Sequence, residues 1–262
     1  MNYYSYSQKF LIGLITLLLI FNIGIFCTTN SSPIYWVHPE LVTFWFFWSD
    51  EGIDTFKLHQ GINGDDLLKP FTSVMDVGFR TRHVSYFFDM FSFKFWQNFE
   101  MGFFRNYNLI GLHLLNTMLL GLLVFYITRK KYLGLFCSLL FLNCGIALGT
   151  LLFPFRSAKV LVMTFFLLAW IIIAGCKQEF SKASNLRFCT FFLILLLASF
   201  TDEIFFFISP ILFFYIYLRD GKDGLFNKRL YSGIFVYILL FLILTGSIIY
   251  LSKHLYDLPI WM

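Results

Sequence analysis

Two pairs of adjacent carboxylates, Asp50-Glu51 and Asp202-Glu203, stand out in a 262-residue chain of which only 13% is charged. Carboxyl groups so placed act as general bases or as ligands to a hard divalent cation. Arg80, Arg82, Arg156 and Lys159 supply positive charge, and a guanidinium grips phosphate with a two-pronged fork. His83 and His113 add two imidazoles. A base and phosphate-binding cations in so apolar a chain suit chemistry on a lipid-linked phosphate at a membrane surface. The acidic pairs leave a divalent cation open as a cofactor, although no His–carboxylate spacing calls for one.

The elements that must position these groups follow from composition. The chain is 58% hydrophobic with 37 Phe and a mean hydropathy of +0.73, whereas a soluble domain carries roughly 25% charged residues. This predicts an all-α, polytopic transmembrane bundle rather than a soluble domain. The net charge of +5 is therefore read by its placement along the chain, not as a signal for nucleic acid. Apolar spans are expected near 10–28, 108–128, 132–153, 159–175, 188–200, 204–218 and 230–251, seven in all. The first reads as an uncleaved signal-anchor, because no small-residue cleavage site follows Phe26. The five cysteines form no CxxC pair. Cys137 and Cys144, on one helical face, read as small packing residues rather than as metal or redox centres.

Basic residues fix the sidedness. Lys9, then Arg129-Lys130-Lys131, then Lys177, Lys182 and Arg187, then Arg219, Lys222, Lys228 and Arg229 fall at alternate junctions. The positive-inside rule puts these junctions and the N-terminus in the cytoplasm, and seven spans leave the C-terminus outside. Phe188 to Leu218 would be about 46 Å long as one helix, against a hydrocarbon core of about 30 Å. A single span would also separate the basic segments 176–187 and 219–229. The chain is therefore expected to turn back at "FTDE", leaving Asp202 and Glu203 at or just below the outer face, within reach of water.

Residues 29–106 form one long segment, expected outside, holding nine of the 15 acids. Within it "PELVTFWFFW", 39–48, starts with Pro and Glu and continues almost wholly aromatic, as an interfacial helix does. It leads into "SDEGIDTF", which carries Asp50, Glu51 and Asp54. Further on, Ser85, Asp89 and Ser92 make one polar stripe on a second expected surface helix, with Arg80, Arg82 and His83 at its start. In "NLIGLHLLNTMLLG" His113 and Asn116 share a helical face and are placed to bond across to neighbouring helices. In "FPFRSAK" Arg156 and Lys159 sit in an external turn, suited either to an anionic headgroup or to anchoring at the interface.

The order of these features resembles the N-terminal module of the GT-C glycosyltransferases, multi-span enzymes that use polyprenyl-phosphate sugars. "FRTRHVSYFFDM" is similar to the "RxRPLSY"-type stretch of bacterial relatives of protein O-mannosyltransferases, with His83-Val84 in place of Pro-Leu. "ASFTDEIFFFISP" is similar to their "S-K-E…P" stretch, with Asp202 in place of Lys. The resemblance spans residues 1–262 as a single module, although such enzymes usually continue through further spans or an external domain. It implies a bacterial cell membrane and a polyprenyl-phosphate-linked sugar as donor. It also implies catalytic roles for Asp50 and its neighbour Glu51. Arg80, Arg82, His83, His113, Arg156, Lys159, Asp202 and Glu203 would then line the substrate pocket. Two other classes compete with it. One is a non-catalytic subunit that binds membrane lipid or a partner membrane protein. The other is a transporter, disfavoured because no matched pair of Gly/Pro-broken helices is present.

Overall fold

A computed structural model describes residues 12–17, 83–85, 87–88, 105–142 and 157–256. The structure is all-helical, with no strand among the described residues. Its elements are α1 (Arg105–Thr128), α2 (Lys131–Leu142), α3 (Ser157–Ala174), a 3₁₀ turn at Phe180–Lys182, α4 (Asn185–Ser199), α5 (Ile204–Ile208), α6 (Pro210–Leu225) and α7 (Lys228–Tyr256). Residues 12–17, 83–85 and 87–88 are also helical. Four segments are long and apolar enough to cross a bilayer: Gly111–Thr128, Ser157–Ala174, Ile204–Lys222 and Lys228–Tyr250. The chain thus has the character of a membrane protein. Against seven expected spans, α2 and α4 are apolar but only 12 and 15 residues long. Most of the expected first span, nearly all of 29–106 and the latter part of the expected 132–153 span lie outside the described residues.

Side-chain contacts set the direction of each helix. Asn116 of α1 reaches Val160 of α3, and Tyr126, ten residues on, lies beside Gly175 just past the end of α3, so the two helices run parallel. α2 returns antiparallel to α1 after a tight corner at Arg129 and Lys130. Arg129 has φ 59°, the left-handed region that closes many helices and usually holds glycine. An L-residue there costs roughly 1–2 kcal/mol. Bonds from Arg129 N to Phe125 O at 2.8 Å and from Lys130 N to Thr128 Oγ1 at 3.2 Å offset part of that.

Lipid tails are as apolar as leucine, so helices within a bilayer associate through close packing rather than water expulsion. α1 and α2 meet on their smallest residues. A Cβ on Gly134 would lie 2.5 Å from the carbonyl oxygen of Gly121, and one on Gly121 would collide with Ser138 Oγ. Ser138 turns its hydroxyl inward to Gly134 O at 3.0 Å, which keeps the contact polar-satisfied. α3 is the central helix: more than half of its residues are buried, whereas in the Lys228–Tyr250 span of α7 only Leu230 is. Ala169 and Ile173 of α3 pack into a core with Phe191, Leu195, Phe205, Leu212 and Ile216, all at most 1% exposed, while Leu167 packs against Leu119 and Leu123 of α1.

The chain reverses between α4 and α6. Arg219, late in α6, donates to the carbonyls of Ile173 and Gln178 at the far end of α3. Asp220 Oδ2 accepts from Phe180 N at 2.7 Å, just before α4 begins. The second arm is broken twice. Pro210 lacks an N–H and starts α6 at the position where none is needed. Gly221, at φ 75° and ψ −169°, adopts a conformation essentially reserved for glycine and ends the straight part of α6 directly after Asp220. α7 then runs alongside α4, with Tyr237 reaching Ser199 and Phe241 packing on Phe200 with ring centroids 5.1 Å apart. The bundle therefore has one end carrying 126–131, 174–187 and 219–229, and an opposite end carrying 83–85, 113, 157–160 and 199–206.

Candidate functional site

At the second end the reversal is a short, tightly bonded turn. α4 closes with Thr201 N bonding Ala198 O at 3.0 Å, while Thr201 Oγ1 returns to Leu197 O at 2.7 Å. Asp202 Oδ1 accepts from Ile204 N at 2.9 Å, capping the start of α5. Segment 83–85 docks on this turn: Val84 N donates to Phe200 O at 2.8 Å. The His83 ring meets Phe200 edge-on at 6.0 Å. Burial pushes the His83 imidazole down to about 4, so it is neutral at pH 7. Ser85 beside it is buried. Stretches more than a hundred residues apart in sequence, "FRTRHVSYFFDM" and "ASFTDEIFFFISP", are thus joined by a backbone bond.

The expectation that Asp202 and Glu203 are both within reach of water needs correction for Asp202. Asp202 is 3% exposed and Glu203 is half-buried. A carboxyl group can sit in an apolar run without reaching solvent when a turn offers it backbone N–H groups, and Ile204 N is one. His113 and Asn116 do share a face, yet each serves a different neighbour. His113 stacks on Phe141 at 5.1 Å, with Nε2 3.5 Å from Leu142 O of α2. Asn116 Nδ2 donates to Val160 O of α3 at 2.9 Å. Both act as interhelical ties. Lys159 is exposed on the first turn of α3. Asp50, Glu51, Arg80, Arg82 and Arg156 lie outside the described residues. Of the cysteines, Cys176 is buried, Cys137 half-buried and Cys189 exposed; Cys27 and Cys144 are outside the described set.

Three groups at this end carry no signal in the sequence that sets them apart. Ser199 Oγ and Tyr237 OH lie 2.5 Å apart and tie α7 to the last turn of α4. Ser157 Oγ, on a residue 0% exposed, has no hydrogen-bond partner among the described residues, nor has Asn116 Oδ1. Ser157 precedes Val160, the residue Asn116 bonds, by about one helical turn. Two buried oxygens with hydrogen-bonding capacity left are therefore found at the first turn of α3 and on the side chain bonded to it, where a polar ligand could satisfy them. Among the described residues no three His, Cys, Asp or Glu side chains converge as a metal site.

No protein-family model, curated protein or solved structure matches the chain.

Proposed function

We propose that the chain is a GT-C-like membrane glycosyltransferase that moves a sugar from a polyprenyl-phosphate donor to an acceptor hydroxyl at the end of the bundle bearing His83 and Asp202. The observation that supports this reading is the 2.8 Å bond from Val84 N to Phe200 O. It joins the two stretches whose residues resemble that family. On this reading Asp50, with Glu51 beside it, removes the acceptor proton. The acceptor oxygen bonds to the sugar's anomeric carbon as that carbon's bond to the phosphate oxygen breaks. Arg80, Arg82, Arg156 and Lys159 hold the phosphate that leaves with the electron pair. His83, Asp202 and Glu203 shape the pocket wall, and His113 supports it through α2. A divalent cation on the acidic pairs would add charge stabilisation.

The test is sugar transfer in membranes from a labelled polyprenyl-phosphate donor. Asp50→Asn should lower the rate by about 100-fold or more, the usual worth of a positioned base. An unchanged rate would remove Asp50 from the mechanism.

A non-catalytic subunit is the second reading, favoured by two observations. Asp202 already caps its own turn, and the apolar span of α7 has Leu230 as its sole buried residue, as a helix covered by lipid or a partner membrane protein would. A partner that co-purifies in mild detergent, together with no transfer by the chain, would select it.

A further inference from the structure

We infer that the corner between α1 and α2 is a binding site for the headgroup of an anionic phospholipid in the adjoining leaflet. Arg129, Lys130 and Lys131 are consecutive and exposed. Gly175 brings a fourth cation beside them. A Cβ there would lie 3.9 Å from the ring of Tyr126, Arg129 follows that tyrosine by three residues, and exposed Lys177 follows the glycine by two. Arg187, also exposed, extends Nη1 to Gly175 O at 3.3 Å and so adds positive charge to the same place.

Two acids at this end, Glu179 and Asp220, are engaged elsewhere. Glu179 is paired with Lys182 at 3.0 Å. Asp220 is held by Arg219 at 3.1 Å and by the amide of Phe180. The arginines of the neighbouring turns are likewise occupied. Arg219 binds two carbonyls, and Arg229 binds Ser181 O, Ala183 O and Asn185 Oδ1. At the corner, by contrast, the Lys130 and Lys177 ammonium groups make no bond within the described residues, and Lys131 only overlies the Tyr132 ring at 5.2 Å.

Two further observations point to a lipid rather than a free anion. Leu122, Phe125 and Ile127 of α1 and Leu135 of α2 are exposed just beneath the cations, so acyl chains can lie along the same helices whose ends hold the headgroup. Arg129 also occupies a left-handed position, φ 59°, where glycine would be unstrained. A charged side chain retained at a strained position is explained by a task for the charge. Basic residues at a bilayer surface attract anionic lipids by an amount equivalent to about fivefold in affinity per residue.

The test uses the whole chain in mild detergent, with phosphatidylglycerol or phosphatidylcholine added. Lipid retention is read by native mass spectrometry, and stability by melting temperature. Wild type should retain phosphatidylglycerol preferentially and melt higher with it. Arg129→Gln/Lys130→Gln/Lys131→Gln/Lys177→Gln should lose that preference at about fivefold per charge removed, while Lys222→Gln/Lys228→Gln should keep most of it. Arg129→Gly separates the lipid role from a fold role. It should lower phosphatidylglycerol preference about fivefold yet melt no lower than wild type in phosphatidylcholine, because the corner is relieved. Equal retention of both lipids by wild type would overturn the site, as would a quadruple variant that retains phosphatidylglycerol unchanged. Displacement of the lipid by inorganic phosphate would also overturn it, showing an unspecific anion site.

Discussion

The two ends of the bundle use polar side chains in opposite ways. At the end carrying 174–187 and 219–229, charged groups close turns. Arg229 bridges Ser181 O at 3.0 Å, Ala183 O at 2.7 Å and Asn185 Oδ1 at 2.7 Å, with its guanidinium 4.5 Å above the Phe188 ring. Arg187 and Arg219 bind further carbonyls, and Asp220 binds an amide. The carbonyls of Ile173 and Gly175, at the C-terminus of α3, each meet an arginine, which also suits the negative pole of a helix. At the opposite end the described contacts are of other kinds. One backbone bond holds Val84 to Phe200, a neutral imidazole leans on a phenyl ring, and Ser157 Oγ and Asn116 Oδ1 are buried with capacity to spare. The difference separates a lock from a place where something can bind. Buried polar capacity is destabilising unless used, but Ser181 Oγ at the first end also lacks a partner among the described residues, so the contrast rests on the charged closures and not on unsatisfied groups.

The strongest way to break this contrast is at the lock. Asp220 has a side chain 3% exposed and serves both Arg219 and the Phe180 amide. Asp220→Ala should cost about 3 kcal/mol, since it strands a buried amide and removes the arginine's anionic partner. Asp220→Asn keeps an acceptor for Phe180 N and should cost less than half as much. Reversible unfolding in mixed micelles measures both. If the alanine variant unfolds like wild type, this end is no lock and the contrast fails.

How much of this could be read from the residues alone differs between the ends for a physical reason. That the basic clusters would share one end was legible, because Arg129 to Lys131, Lys177 to Arg187 and Arg219 to Arg229 fall at alternate junctions, and charge avoids a bilayer wherever it stands. The return of the chain after Ser199 followed from the same clusters, and Arg219 at the carbonyl of Ile173 agrees with it. The division of labour among those cations was not legible. Arg229 and Lys228 are neighbours of like charge, yet one spans a loop and the other is exposed, and that depends on where 181–185 lies in space. Asp202 was misjudged because hydropathy counts a carboxyl group as needing water, whereas a turn can solvate it with its own amides. His113 and Asn116 were correctly set on one face, but periodicity does not say that two helices would share that face.

A smaller effect sharpens the contrast through pH. Burial holds His83 at about 4, below the 6.5 of an exposed imidazole. Above 6.5 both folded and unfolded states are neutral there, and the docked segment has its full stability. As pH falls the unfolded state takes up the proton first, so stability declines until about 4, below which both states are protonated. At pH 5 the loss should be about 2 kcal/mol. Hydrogen exchange at the Val84 amide, corrected for intrinsic rate, should therefore speed up between pH 7 and 5 while the Phe180 amide stays protected. His83→Gln should flatten the response at Val84. Acid loosening of both ends together would mean that they are one cooperative unit and not two differently built ones.

The smallest effect on the fold is the most informative about the site. Asp202→Ala removes the cap on Ile204 N and should cost about 1 kcal/mol, the ordinary worth of such a side chain. Asp202→Asn presents an amide oxygen in the same place, so the turn and the Val84 contact should survive with a loss below about 0.5 kcal/mol. The two variants therefore part company according to what the carboxyl group does. If it only caps, the asparagine variant matches wild type in stability and in sugar transfer, and the candidate site loses its best-defined wall. If it faces the donor or acceptor, transfer falls at least about tenfold in a protein that melts normally. A buried charge that a neutral isostere replaces structurally but not chemically has a use beyond the fold, and the opposite end offers the control: there Asp220→Asn should change stability and leave transfer per folded molecule untouched.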